Sequence, residues 1–480
     1  RSSRDASSAS QSILPLPAMK RDELAHEQDD AFRAMLREQR EKLNGVTRAQ
    51  SVSPKSPARL ASRYGTQRLV NPPLHMNLVR RASGVLEWEF GSSLRRATSG
   101  TRRMAGRLPS DGAAEPGAEV IDQVSFEELQ PNQVTKVIDK VDRWLTPLAW
   151  EAKTLRPEGL RVIVKDGGGF KLGPRFSGGK AALHRKKVFL FIHGTASNCD
   201  KNLTELSGHD DGLQLLTAFS KYYDVMLGFD HPTLGTTPLL NAIDLDRQLG
   251  LHGSNLPAQI DIITHSRGGI VSRWFLEQLC PPGVPAHVVL LGCPISGTSL
   301  AAPANIKRLL DLFTNIAHAA GGAASFVPFL SFATALTEIM AAAFSFMAKT
   351  PAPDLLLNIL PGLAAQQRAG NNGELLRLRR PAGAGCEYHA VTANFEPPKI
   401  GWNFLKAFNK PGARVLDSVA DYLFAGPNDL VVDTNSMTML DDARAVRESR
   451  VMRFKGDTVH HCNYLSQRET CRHIRRAFKV

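Results

Sequence analysis

Short apolar, β-rich runs alternate with helically patterned stretches along most of this chain, and that alternation constrains the fold more than any other feature. Leu160–Lys165, Val188–Ile192, Asp224–Phe229, Ile260–Thr264, His287–Leu291 and Tyr388–Thr392 have strand character, whereas Leu213–Tyr222 and Ile270–Leu279 have helical periodicity. Strands that are apolar almost throughout need cover on both faces, which predicts an α/β architecture with a mostly parallel sheet flanked by helices. Ligands on such sheets bind beyond the carboxyl ends of the strands, so chemistry is expected there. The 480 residues allow two or three domains, or one large domain with tails. Hydrophobic content of 42% and aromatic content of 7% exclude disorder throughout. Six cysteines without a CxxC pair are too sparse for a disulfide scaffold and read as reduced thiols.

The positive charge is local. Before residue 110 there are 20 Lys/Arg against 10 Asp/Glu, a surplus of 10 out of the formal +13. That stretch holds Ser/Pro/Arg-rich sequence at Ser51–Arg59 and paired arginines at Arg80-Arg81, Arg95-Arg96 and Arg102-Arg103. It predicts a largely disordered basic region over 1–118, closed by the Pro/Gly/Ala linker Pro109–Gly117. One amphipathic helix is expected inside it, at about 20–43, carrying Leu24, Phe32, Met35, Leu36 and Leu43. A solvated tail or peripheral contact with an acidic membrane face fits such a segment; without interleaved aromatics, no nucleic-acid partner is expected. The chain opens at Arg1 with no apolar run suited to a signal peptide, so a cytoplasmic location is expected.

The most informative local pattern is Gln259–Trp274, QIDIITHSRGGIVSRW, where a buried strand runs into Thr264-His265-Ser266-Arg267-Gly268-Gly269 and directly into a helix. A serine there sits on a sharp turn at the carboxyl edge of the sheet. Gly268 and Gly269 let the helix pack close to the strand, and the helix N-terminus brings N–H groups beside any oxyanion. Upstream, Lys187–Ser197 (KVFLFIHGTAS) is an apolar strand followed by His193-Gly194 and small polar residues.

These two segments resemble the α/β-hydrolase superfamily, and within it bacterial lipase-like serine hydrolases with an HG loop and a His-Ser-x-Gly-Gly elbow. Thr264 stands where the family's GxSxG elbow has its first glycine. The resemblance implies an oxyanion hole from the backbone N–H groups of Thr195 and Arg267, with His193 supporting the loop. It also implies the chain order serine, acid, histidine. Gly426–Val432 (GPNDLVV) looks like the Asn-Asp-Gly-Leu-Val segment that carries the acid, which points to Asp429 with Leu430 in place of the glycine; Asp433 is the alternative. After a last strand at Val451–Gly456, the family's His-x-x-Tyr/Phe pattern matches His461 with Tyr464; His460 is the alternative base.

Between Gly292 and Glu387 lies an insertion whose middle, Leu312–Thr337, has no Lys, Arg, Asp or Glu. Gly321-Gly322, Pro328 and Glu338 interrupt or bound it, which predicts a helical cap at about 300–370 instead of a membrane span. An apolar cap above a reactive serine suggests an ester or lipid substrate with hydrophobic parts. His460, His461, Cys462, Cys471 and His473 fit no standard zinc spacing, and Gly208–Gly212 reads as a polar turn, so neither a metal nor another cofactor is expected. The reading is therefore a serine carboxylester hydrolase occupying 119–480, acting through Ser266, His461 and Asp429. The alternatives are a catalytically inactive interaction module of the same fold and an acyltransferase using the same triad.

Overall fold

The computed structural model describes residues 31–39, 50–52, 74–90, 119–126, 159–178, 181–253, 255–301, 306–321, 323, 326–347, 360–368, 372–378, 386–396 and 426–480. Its first elements are a helix α1 over residues 31–39 and strands β1 (Gln50–Val52), β2 (Leu74–Arg80), β3 (Leu86–Phe90) and β4 (Glu119–Phe126). The strands form an antiparallel sheet in the order β1-β4-β2-β3.

Within the basic region up to 118, residues 31–39, 50–52 and 74–90 carry regular structure, and the rest of that span lies outside the described residues. Residues 74–90 form a hairpin, and β4, assigned from sequence to the start of the hydrolase domain, pairs with β1 and β2. Met76, Leu78, Leu86, Trp88 and Val124 are buried at period-two spacing, while Arg81 pairs with Glu87 across the turn. Polar or charged residues such as His75, Asn77, Glu87 and Glu89 take the alternate positions. Of the expected helix at about 20–43, residues 31–39 are helical with Phe32 and Leu36 buried; Leu24, Leu43, the linker 109–117 and Arg95-Arg96 and Arg102-Arg103 lie outside the described residues.

The larger sheet has eight strands: β5 (Gly159–Asp166), β6 (Gly169–Arg175), β7 (Lys187–Ile192), β8 (Val225–Asp230), β9 (Gln259–His265), β10 (Ala286–Leu291), β11 (Cys386–Phe395) and β12 (Val451–Gly456). Their order is β12-β11-β10-β9-β7-β8-β5-β6, parallel from β8 to β12, with the β5–β6 hairpin antiparallel at one edge. The predicted strands thus belong to one sheet, with the fold of an α/β hydrolase. Helices α2 (Cys199–Ser207) and α3 (Asp210–Tyr222) cover one face; α4 (Pro238–Leu249) and α5 (Gly268–Trp274), which continues through a wide π turn to Leu279, cover the other. His209, in the expected polar turn, caps α3 by accepting from the Gly212 N–H.

The insertion after β10 contains α6 (Ile306–Ala319), α7 (Val327–Met347), one helical turn at Pro361–Ala364 and α8 (Gly373–Leu378). A last helix, α9 (Arg468–Phe478), returns to the face of α2 and α3 through Ile474 and Phe478. No described helix is long and apolar enough to cross a membrane. A single buried cluster joins α1 and the small sheet to α6 and α7 and reaches Leu430 beside the carboxyl edge of the large sheet.

Candidate active site

Strand order alone brings the key loops together. The chain passes from β7 outward to β8 and then back across to β9, so β7 and β9 are neighbours at the point where the winding reverses. The crevice at such a switch point lies between the loops leaving the two strands. Here those loops carry His193-Gly194-Thr195 and Ser266.

Ser266 lies in the left-handed region at φ 53°, and its N–H donates to the Leu291 carbonyl at 2.9 Å. Such a conformation costs a non-glycine residue about 1–3 kcal/mol and persists only where its surroundings impose it. Three glycines permit the packing. A Cβ on Gly194 would fall 2.7 Å from Ser266 Cβ, one on Gly268 would meet the Ile192 and His193 carbonyls at 2.6 and 2.7 Å, and one on Gly269 would meet Cys293 Sγ at 2.7 Å. Thr264 fits in place of the family's glycine because its Oγ1 occupies space that a side chain on residue 268 would need, 2.5 Å from that Cβ position.

His461 Nε2 lies 2.9 Å from Ser266 Oγ, and its Nδ1 lies 2.8 Å from Asp429 Oδ2. All three residues are buried. Asp429 is held in turn: Oδ1 accepts from the Val431 and Val432 N–H groups at 3.1 and 2.8 Å, and Oδ2 accepts from the Tyr464 hydroxyl at 2.8 Å. The peptide N–H of His461 also donates to the Asp429 carbonyl at 3.0 Å. Leu430 keeps the left-handed backbone that a glycine would adopt there, at φ 82°, and its buried side chain packs into the cluster shared with the insertion helices. Burial, with Asp429 as second cause, raises the Tyr464 phenol well above its ordinary pKa, so it stays a donor.

The sequence alternatives go elsewhere. His460 stacks on Phe326 with ring centroids 4.2 Å apart, and its Nδ1 accepts from the Cys462 N–H at 3.3 Å. Burial lowers its pKa to about 4. Asp433 forms an ion pair with Arg368 at 2.7 Å. His265, within the elbow, bonds through Nε2 to the His461 carbonyl at 2.8 Å and is kept neutral by burial, at a pKa of about 3.

Around the other half of the crevice, His193 braces the loop: Nδ1 donates to the Gly194 carbonyl at 2.8 Å and Nε2 accepts from the His231 N–H at 3.1 Å. Burial brings its pKa to about 3, which keeps the ring neutral, and those two hydrogen bonds set its tautomer. Arg267 stands at the N-terminal cap of α5, where the Gly269 N–H donates to the Ser266 carbonyl and the Ile270 N–H to the Arg267 carbonyl, both at 3.0 Å. Thr195 lines the same cleft, and its hydroxyl donates to Gln366 Oε1 at 3.2 Å.

The cleft above Ser266 takes in about 660 Å³ of space, part of it open solvent. Its apolar wall includes Leu300, Leu309, Phe313, Phe329, Phe332 and Leu363, drawn mostly from the insertion. Two contacts have no signal in the sequence: the Tyr464 hydroxyl, known there only by its spacing from His461, serves Asp429, and Gln366 meets Thr195 across 171 residues. Among the described residues, no group of three His, Cys, Asp or Glu side chains is arranged to hold a metal ion.

With strand order, elbow and relay in place, the sequence assigns the lineage. The chain belongs to the family described as a domain of unknown function, DUF7379. The match spans residues 167–479, which takes in β7 through α9 and every site residue named above. No curated protein matches the sequence. Similar solved structures include lipase 1 from Pelosinus fermentans, 15% identical, covering 58% of this chain and 93% of the other with a TM-score of 0.35. A lipase-esterase related protein from Clostridium acetobutylicum is 12% identical, with 61% and 94% covered and a TM-score of 0.31. The mature lipase BlEst2 of Bacillus licheniformis is 16% identical, with 59% and 87% covered and a TM-score of 0.29.

Proposed function

We propose that this protein is a serine hydrolase that cleaves carboxylic esters with hydrophobic acyl groups. The observation that carries the proposal is the continuous relay Ser266 Oγ, His461 Nε2, His461 Nδ1 and Asp429 Oδ2, with contacts of 2.9 and 2.8 Å in a buried crevice. In the proposed cycle Ser266 Oγ attacks the ester carbonyl carbon while His461 Nε2 takes the hydroxyl proton. Asp429 fixes the imidazole with Nδ1 protonated and stabilises the imidazolium that forms. The N–H groups of Thr195 and Arg267 receive the negative charge on the carbonyl oxygen. His461 then returns the proton to the departing alkoxide, leaving an acyl-enzyme. A water, deprotonated by the same imidazole, attacks the acyl carbon and releases the carboxylic acid, restoring the serine hydroxyl.

The relay also supports the enzyme over an interaction module, because a serine held at a strained backbone angle has no evident structural benefit. The insertion helices act as the cap of the acyl site in this reading. A fluorophosphonate probe tests the proposal directly: it should label the wild-type chain and leave Ser266→Ala unlabelled. A wild-type chain that resists the probe and turns over no p-nitrophenyl ester would overturn it.

A further inference from the structure

The insertion helices have two working faces. On α6, Leu309 and Phe313 line the cleft above Ser266, whereas Asp311, Thr314 and Asn315 point to the small N-terminal sheet. At 100° per residue these two stripes lie on roughly opposite sides of the helix. Strand β3 is the outer strand of its sheet, and α6 occupies its outer edge.

The contact reproduces a strand pairing with side chains. Asn315 Oδ1 accepts from the Leu86 N–H at 3.0 Å, and Asn315 Nδ2 donates to the Leu86 carbonyl at 2.7 Å. Asp311 Oδ1 accepts from the Trp88 N–H at 2.8 Å, and its Oδ2 accepts from Lys307 Nζ at 2.7 Å. Thr314 Oγ1 accepts from the Trp88 indole at 3.1 Å while donating to the Leu310 carbonyl. Trp88, Asp311, Thr314 and Asn315 are all buried, so any displacement of the helix along the strand would leave several polar groups without partners. The neighbouring helix is held similarly: on α7, Phe329 and Phe332 face the cleft, and Ser331 donates to Gln39 on α1.

We infer that the N-terminal sheet determines acyl-chain selectivity, with Asp311, Thr314 and Asn315 as positioning residues that fix the α6 wall of the cleft against strand β3. The inference rests on the serine-hydrolase reading. It assigns to the N-terminal region a part in the reaction although none of its described residues lines the cleft. The small sheet supplies a fixed surface, α6 transmits its position, and Leu309 and Phe313 set how deep and wide an acyl chain fits. A short acyl group reaches Ser266 without needing that wall, so the machinery of bond cleavage is insulated from it.

The test uses the full chain carrying Asp311→Ala with Asn315→Ala, compared with wild type and with Asp311→Asn, which keeps an acceptor for the Trp88 N–H. The readouts are kcat and KM over p-nitrophenyl esters from acetate to palmitate, the rate of fluorophosphonate labelling, and hydrogen exchange at residues 86–90 and 306–319. In the double variant, exchange should rise in both segments, and the kcat/KM ratio of dodecanoate to acetate should change by about ten-fold or more through KM. Labelling should stay within about two-fold of wild type, and Asp311→Asn should restore most of the wild-type ratio. An unchanged ratio with raised exchange would overturn the inference, as would exchange that does not rise at all. If the double variant does not fold, Trp88→Phe, which removes the indole donor and part of the buried ring but keeps the backbone contacts of β3, is read by the same three measurements. A wild-type chain inert to probe and esters would instead defeat the serine-hydrolase reading and the selectivity claim with it, an outcome distinct from a labelled chain whose ratio ignores the substitutions.

Discussion

The eight-stranded and four-stranded sheets both receive side chains from remote parts of the chain, yet they put them to different use. Parallel winding places the carboxyl ends of β7, β9, β11 and β12 on one side, so His193, Ser266, Asp429 and His461 all follow a strand and meet at a single edge. The antiparallel sheet alternates strand direction and gathers no such edge. What it offers is an outer strand, β3, whose backbone polar groups find partners on α6. One region therefore gathers the contacts among Ser266, His461 and Asp429 and the other offers an edge that α6 covers, and substitutions in the two should fail in different ways.

The largest expected effect tests the edge that gathers those contacts. Asp429→Asn should lower kcat by about 10⁴-fold while leaving the fold and the chain-length ratio intact, because the amide favours the wrong imidazole tautomer. A loss under ten-fold would remove Asp429 from the relay. Gly194→Ala comes next. Its Cβ would press on Ser266 Cβ at 2.7 Å and on the His265 carbonyl at 3.0 Å, and a displacement of that size should cost about 100-fold in kcat/KM across all esters. Wild-type kinetics in this variant would show that the loop has room to retreat. Tyr464→Phe removes one hydrogen bond to a carboxylate and should reduce kcat by about ten-fold with little change in KM.

The four-stranded sheet should respond through stability. Trp88→Phe deletes the indole bond to Thr314 and part of a buried ring and should lower unfolding free energy by at least about 1 kcal/mol, read from urea denaturation. The smallest effect is a pH dependence. Burial lowers the pKa of His193 and His265 to about 3 and of His460 to about 4, against an ordinary 6.5. Their contribution is complete above about pH 6.5 and is lost as pH falls toward 4, because the unfolded chain binds protons that the folded one refuses. Asp230 and Asp311, raised to about 6 by burial, work in the opposite sense over about pH 6 to 4 and offset part of that loss. His460→Phe should therefore flatten the acid limb of the stability profile by roughly one proton while sparing the probe reaction. An unaltered limb would mean that His460 is protonated as readily in the folded chain as in the unfolded one.

How much could be read from sequence follows the same division. The parallel strands were legible because each is a continuous apolar run, and Ser266 because the elbow is a local pattern of strand, serine and paired glycines. The choice of His461 over His460 rested on a three-residue spacing to Tyr464; in the structure His461 faces Ser266, whereas its neighbour stacks on Phe326. The strands at 74–80 and 86–90 are not legible in the sequence, because both are short and the groups that satisfy Leu86 and Trp88 lie 229 and 223 residues away.

Sequence by itself determined the class of sheet, the serine at its carboxyl edge and the residue types available to activate it, since those depend on hydrophobic period and local turn chemistry. Tertiary structure decided which histidine meets that serine and which aspartate meets that histidine, that Leu430 can hold a glycine's backbone angle, and that an N-terminal strand grips α6. Each of these depends on groups brought together across long stretches of chain, where no local spacing records the distance.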